Sequence, residues 1–128
     1  MKTLLLFISI LLSVKSVAQN ADAITGKWMN IPKQNLIITV YRTGNTYTGK
    51  VNWVKDNDKV KTGFIILEKL VFNESSRIWD RGKIHSPTGG GTYNAIAKIK
   101  DDGTLEVHAY KGFKFLGKDK IFKRVKSD

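Results

Sequence analysis

What most constrains this chain is a period of two. From Thr92 to Lys100, Tyr93, Ala95, Ala97 and Ile99 fall on one face and Asn94, Ile96, Lys98 and Lys100 on the other. Asp101-Asp102-Gly103 then reverses the chain, and Leu105, Val107 and Ala109 continue the apolar row while Glu106 and His108 point the other way. Alternation is the mark of a half-buried strand, and Asp-Gly between two such runs is a strong hairpin signal. No window sustains an apolar repeat at helical spacing, so no helix longer than a turn or two is predicted.

The same grammar runs through the rest of the chain. The first strand is expected over about Thr25 to Asn30, closed by Ile31-Pro32, and the second over Asn35 to Arg42, with Leu36, Ile38 and Val40 sharing a face. Thr43-Gly44-Asn45 makes a turn into Thr46 to Lys55, where Tyr47, Gly49, Val51 and Trp53 are expected on one face. Asp56-Asn57-Asp58 ends that strand, and Lys59 to Gly63 reads as a polar, mobile connection. Phe64 to Phe72 fits either one bent strand or a helical turn followed by a strand, because Glu68 and Lys69 interrupt it. After Asn73 to Ser76 comes the densest stretch, Ile78 to Tyr93, read as a strand, a tight connection and the start of the next strand. Gly82 is expected to bend the first of these, and Pro87 with the glycines through Gly91 to hinge into the second, where Tyr93 is the first inward residue. Lys111-Gly112 turns the chain again, and Lys118 to Val125 is the final strand. Turns every eight to twelve residues or so describe an all-β domain: a small antiparallel up-and-down barrel of about eight strands. Closure removes the exposed edges that an open sandwich, the alternative, would keep.

The N-terminus reads as an export signal. Lys2 precedes an apolar run from Leu4 to Leu12, and Ser16-Val17-Ala18 offers small residues where a signal peptidase cuts, so residues 1–18 are expected to be removed near Ala18. The run is about half the roughly 20 residues needed to cross a bilayer, so the expected product is periplasmic or secreted rather than an integral membrane protein. Residues 19–128 then form one domain, which without any cysteine must hold itself together by packing alone. The full chain carries a net charge of +11, and losing Lys2 and Lys15 with the leader lowers it by two, to +9. For an exported protein this points to anionic envelope surfaces, lipid head groups or acidic polymers, attracted in a salt-dependent way, and away from nucleic acid.

Reactive groups are few. His85 and His108 are the only histidines, both in strand segments, and neither has a metal-like neighbour. Asp80 and Arg81 are adjacent and face opposite ways. Thr88-Gly89-Gly90-Gly91-Thr92 lacks the lysine ending and following helix of a phosphate loop. No catalytic residue, metal or cofactor is therefore assigned. The aromatic residues are the better clue: Trp53, Trp79, Tyr93, Tyr47 and Tyr110 lie on strands, and small residues beside inward aromatics leave room for a narrow pocket or a packed core, the pocket being favoured.

Gly26-Lys27-Trp28 on the opening strand, with Arg124 near the end of the last, resembles the G-x-W signature of lipocalins and calycins, in which an arginine packs across the indole at the closed end of the barrel. A wider set covers nearly the whole exported part: the same GKW, Trp79-Asp80-Arg81-Gly82, Ile84, Pro87, Gly91, Tyr93, the Asp101–Val107 hairpin, Leu116-Gly117, Phe122 and Arg124. Together these resemble the bacterial exported family called domain of unknown function 2147. The resemblance implies a small lipocalin-like barrel behind a signal peptide and names no activity. The chain departs from the family pattern at His85-Ser86, where an acidic or amide residue usually precedes the proline with an aromatic before it, and at Phe122, where tryptophan is favoured; a role tied to that acidic position does not carry over. The expected function is an exported non-enzymatic protein that takes a small apolar or amphipathic molecule into the barrel through an open end, with lysines around the mouth favouring an anionic head group. The alternative is an envelope interaction module that uses its basic surface, with a solid barrel as scaffold.

Overall fold

A computed structural model of the chain describes residues 20–55 and 59–126. Residues 1–19 (which include the expected leader), Asp56-Asn57-Asp58 and the last two residues lie outside them. Eight strands follow a 3₁₀ turn at Ala21–Ile24: β1 (Gly26–Ile31), β2 (Leu36–Thr43), β3 (Thr46–Val54), β4 (Ile65–Asn73), β5 (Ile78–His85), β6 (Thr92–Ile99), β7 (Leu105–Tyr110) and β8 (Lys118–Arg124). Each pairs antiparallel with its neighbour in sequence, and β1 pairs with β8, so the sheet closes into a barrel with no free edge. The stretch Phe64 to Phe72 holds one strand, β4, which starts at Ile65 and carries an irregular backbone at Lys69 in place of a helical turn.

Bulges decide which side chains enter the barrel. Against β2, Ile37 pairs with Trp53 but Ile38 with Val51, leaving Asn52 as an extra residue. A bulge of this kind breaks the alternation. Trp53 is thereby turned out of the row of Tyr47, Gly49 and Val51 and stands 40 % exposed, while Val54 packs against the core. The expectation that Trp53 faces inward is overturned by that one added residue.

A second irregularity lies where β4 meets β5. Lys69 and Arg81 both adopt left-handed backbone angles, φ 63° and 62°, so Trp79 and Gly82 both come to lie inside. Gly82 is the residue that makes room rather than the bend itself. A Cβ there would sit 2.5 Å from a methyl of Leu70, which occupies the space over the glycine. Lys59 to Gly63 is also less free than its polarity suggests: Val60 is buried in the core and the Gly63 amide donates to the Val51 carbonyl at 2.7 Å.

Candidate functional site

The interior divides along the barrel axis. At one end the largest buried side chains, Trp28, Trp79 and Tyr47, pack with Ile24, Leu70 and Leu105. The 3₁₀ turn plugs this end and supplies partners for their polar atoms. The Trp28 indole donates to the Ile24 carbonyl at 2.9 Å, the Trp79 indole to the Ala21 carbonyl at 3.0 Å, and the Tyr47 hydroxyl to the Asp22 carboxylate at 2.5 Å. Burial, with the Asp22 hydrogen bond and charge adding to it, pushes the Tyr47 hydroxyl up to about 12. Arg124 seals the seam between the first and last strands. Its guanidinium lies 4.1 Å from the centre of the Trp28 ring and donates to the Thr25 and Ala23 carbonyls at 2.9 and 2.7 Å. Gly26 has φ 122°, and a Cβ there would fall 2.9 Å from the guanidinium, so this position serves both the backbone and the arginine.

The opposite end is hollow. A cavity of about 1000 Å³ opens among the β1–β2, β5–β6 and β7–β8 connections. Its wall is aliphatic and aromatic: Leu36, Ile38, Ile66, Leu67, Ile84 and Phe122. Ile38, Leu67 and Phe122 are buried and form its depth. Asn30, one of the polar side chains of the wall with His85 and Ser86, is occupied by the chain itself, accepting from the Asn35 and Leu36 amides at 3.0 and 2.9 Å. Charge gathers at the rim, where Lys33, Lys111, Lys118 and Lys120 line the opening together with one acid, Asp119, whose carboxylate is held by His108. Lys118 and Lys120 stand across from Ala109 and Val107 and alternate in step with Phe122, which puts them on the inward row at the mouth. Lys111 is held over the face of Tyr93, with Nζ 4.6 Å from the ring centre.

The five aromatics named from the sequence separate cleanly. Tyr93 and Tyr110 line the cavity. Trp79 and Tyr47 are buried in the closed end, and Trp53 is on the outer wall. Pro87 is part of the lining, and Gly91, with φ 100°, closes the β5–β6 connection by accepting the Ser86 amide at 2.9 Å.

Both histidines have each ring nitrogen engaged. His85 bridges Glu68 at 2.5 Å and Thr92 at 2.8 Å. His108 bridges the Asp119 carboxylate at 2.6 Å and the Lys114 carbonyl, and these bonds hold its pKa above the usual histidine value. Among the described residues no group of three or more His, Cys, Asp or Glu side chains is placed to hold a metal ion. The sequence reading expected lysines around the mouth without naming which, and it missed Phe113 and Phe115, which stand exposed beside the mouth with Leu116. The available signal was the alternation of lysine with phenylalanine in Lys111–Lys118, read only as a turn.

Residues 26–124 match the family described as "uncharacterized protein conserved in bacteria", domain of unknown function 2147. The chain belongs to that family. The matched segment begins on Gly26 and ends on Arg124, the two residues that meet across the barrel seam. No curated protein matches the chain in sequence. The fold is similar to a solved structure described as protein HP1028 from the human pathogen Helicobacter pylori, belonging to the lipocalin family, with 17 % identity, a TM-score of 0.67, and coverage of 80 % of this chain and 83 % of that one. The DUF2147 chain is therefore a closed eight-stranded antiparallel barrel of lipocalin-like form, and among its described residues no helix is long and apolar enough to cross a membrane.

Proposed function

We propose that this protein is an exported, non-enzymatic carrier that takes the apolar part of a single-chain amphipathic molecule into the barrel and holds its anionic head among the rim lysines. One observation carries the reading: an apolar cavity of about 1000 Å³ whose mouth is ringed by Lys33, Lys111, Lys118 and Lys120. Ligand pockets commonly measure about 300 to 1,000 Å³ and combine an apolar wall with a few placed polar groups. Each methylene withdrawn from water contributes about 0.8 kcal/mol, so an alkyl chain supplies the affinity. The lysines, solvated and screened, select the head group more than they add strength. A barrel filled to both ends would suit a scaffold better than this half-filled one does. The lipocalin-like fold also suits small-ligand binding in a general way.

Displacement of a dansyl fatty acid tests the reading. Dodecanoate is expected to compete roughly three- to tenfold better than dodecanol, the head groups differing by one screened charge. Leu36→Trp, at a half-buried position on the wall, is expected to abolish probe binding with the fold retained. Failure of the probe, dodecanoate and dodecanol alike to bind would sink the carrier reading. Mass spectrometry under native conditions, on protein isolated from its own envelope fraction, is expected to show a bound mass that is lost with Leu36→Trp.

A further inference from the structure

The most exposed large apolar side chains among the described residues share one short connection. Between β7 and β8, Phe113, Phe115 and Leu116 are 66 %, 81 % and 55 % exposed. Clustered apolar exposure of this kind marks an interaction site, where scattered single residues would not. The connection is also shaped. The Phe113 and Phe115 rings stack with centres 5.5 Å apart, the Leu116 amide donates to the Phe113 carbonyl at 3.1 Å, and His108 on β7 holds the Lys114 carbonyl from below. Gly117, with φ 149°, returns the chain to β8 where a Cβ would collide with the Ala109 carbonyl.

Its charge is as ordered as its apolar side chains. Lys111, Lys114, Lys118 and Lys120 alternate with or flank the exposed residues, and Asp119, the sole acid from Tyr110 to Lys126, is engaged by His108. Aromatic rings with lysines interleaved suit the boundary of an anionic bilayer, where rings sit at head-group depth and ammonium groups meet lipid phosphates. A protein partner would more often meet a patch whose core is depleted of lysine, whereas here Lys114 stands between the two exposed phenylalanines. The connection is also continuous with the cavity, since Lys111, Leu116, Gly117 and Lys118 belong to its lining.

We propose that the β7–β8 connection docks the protein on an anionic lipid bilayer, with Phe113, Phe115 and Leu116 at the interface, the flanking lysines on the head groups, and the cavity mouth facing the membrane. Docked in this way, the carrier proposed above exchanges its amphiphile with the bilayer at the mouth instead of through bulk water. That use rests on the carrier reading; the docking itself does not.

Sedimentation with phosphatidylcholine vesicles, with and without about a third phosphatidylglycerol, tests it. The full exported chain is expected to pellet with the anionic vesicles, weakly with the neutral ones, and less as salt rises. The double variant Phe113→Ser/Phe115→Ser is expected to lose at least roughly tenfold in vesicle affinity, while its circular dichroism and its affinity for the dansyl fatty acid in vesicle-free buffer stay unchanged. Equal binding to neutral and anionic vesicles, or undiminished binding by the double variant, overturns the docking. So does a shift of the parent chain from dimer to monomer on the same substitutions without vesicle binding, which would make a second copy the occupant. If anionic vesicles are bound through the two phenylalanines while the cavity takes no probe, the docking stands and the carrier reading falls. If the probe binds and vesicles do not, the reverse holds.

Discussion

The two ends of this barrel are made of the same strands and do opposite things with them. At the closed end every large polar side chain points at a partner: two indoles and a phenol reach back to the 3₁₀ turn at Ala21–Ile24, and Arg124 ties the last strand to the first. At the open end the inward row supplies mostly aliphatic wall and then lysines that reach the mouth. The difference lies in chain ends and loops. One turn of chain ahead of β1 is enough to plug the bottom, whereas the β1–β2, β5–β6 and β7–β8 connections border the top without filling it. The large buried side chains and their polar partners are thereby gathered at one end, and the other is left open.

The sharpest way to break that division is to compare one substitution from each end. Trp28 is fully buried and carries the Arg124 stack. Trp28→Ala is expected to cost about 3 to 5 kcal/mol, the usual range for truncating a core aromatic, a large share of a small domain's total stability. Lys111→Ala at the mouth is expected to lie within about 0.5 kcal/mol of the parent. Urea unfolding followed by tryptophan fluorescence measures both. Comparable losses would mean that the open end is structural too.

Tyr47 sharpens the same contrast through pH. Its hydroxyl titrates near 12 in the folded protein, raised by burial and then by Asp22, against about 10 in an unfolded chain. For an acid whose folded pKa is raised, the contribution is fully present below the unfolded value and is lost as pH climbs through the folded one. The closed end is therefore expected to lose on the order of 2 to 3 kcal/mol between about pH 10 and 12. Tyr47→Phe removes that tyrosine's part of the alkaline loss. Absorbance titration of tyrosinate at 295 nm or thereabouts should show one fewer late-ionising group in the variant; an unchanged late phase would mean that Tyr47 is not the group responsible.

The residues show where the sequence was legible and where it was not. Strict alternation in β6 and β7, with Asp-Asp-Gly between them, specified both the pairing and the inward row, because period two and turn chemistry agree there. The Gly26, Trp28 and Arg124 set was readable because the glycine–tryptophan pair and the arginine fall on the two strands that a closed barrel must join. Trp53 was not readable, since a bulge depends on how β2 and β3 meet and leaves no mark in either strand alone. Gly82 looked like a bend because glycine often is one; only the position of Leu70 shows that its role is to leave space. The rim lysines are scattered from Lys33 to Lys120, and nothing short of barrel closure brings them to one mouth.

The smallest expected effect lies at the open end, in the tether beneath the β7–β8 connection. His108 meets the Asp119 carboxylate through one ring nitrogen and the Lys114 carbonyl through the other. Both partners are acceptors, and a neutral imidazole has one N–H, so only the protonated ring serves both. The Asp119 bond, then the Lys114 bond, raise its pKa; partial burial opposes them, while the charges of Asp119 and Glu106 assist. The folded value therefore exceeds the unfolded one, near 6.5, and the tether is complete below that and loosens as pH rises through the folded value. Because the ring is a quarter exposed, solvent screening keeps the effect on global stability to a fraction of a kcal/mol or about that. The local readout is larger. Amides of Lys114 to Gly117 are expected to exchange faster at pH 8 or so than intrinsic rates alone predict, with protection growing toward about pH 6, and His108→Gln is expected to flatten that dependence. A histidine titrating at its ordinary value, or exchange that tracks intrinsic rates across the range, would leave the connection held by its turn and its stacked rings alone.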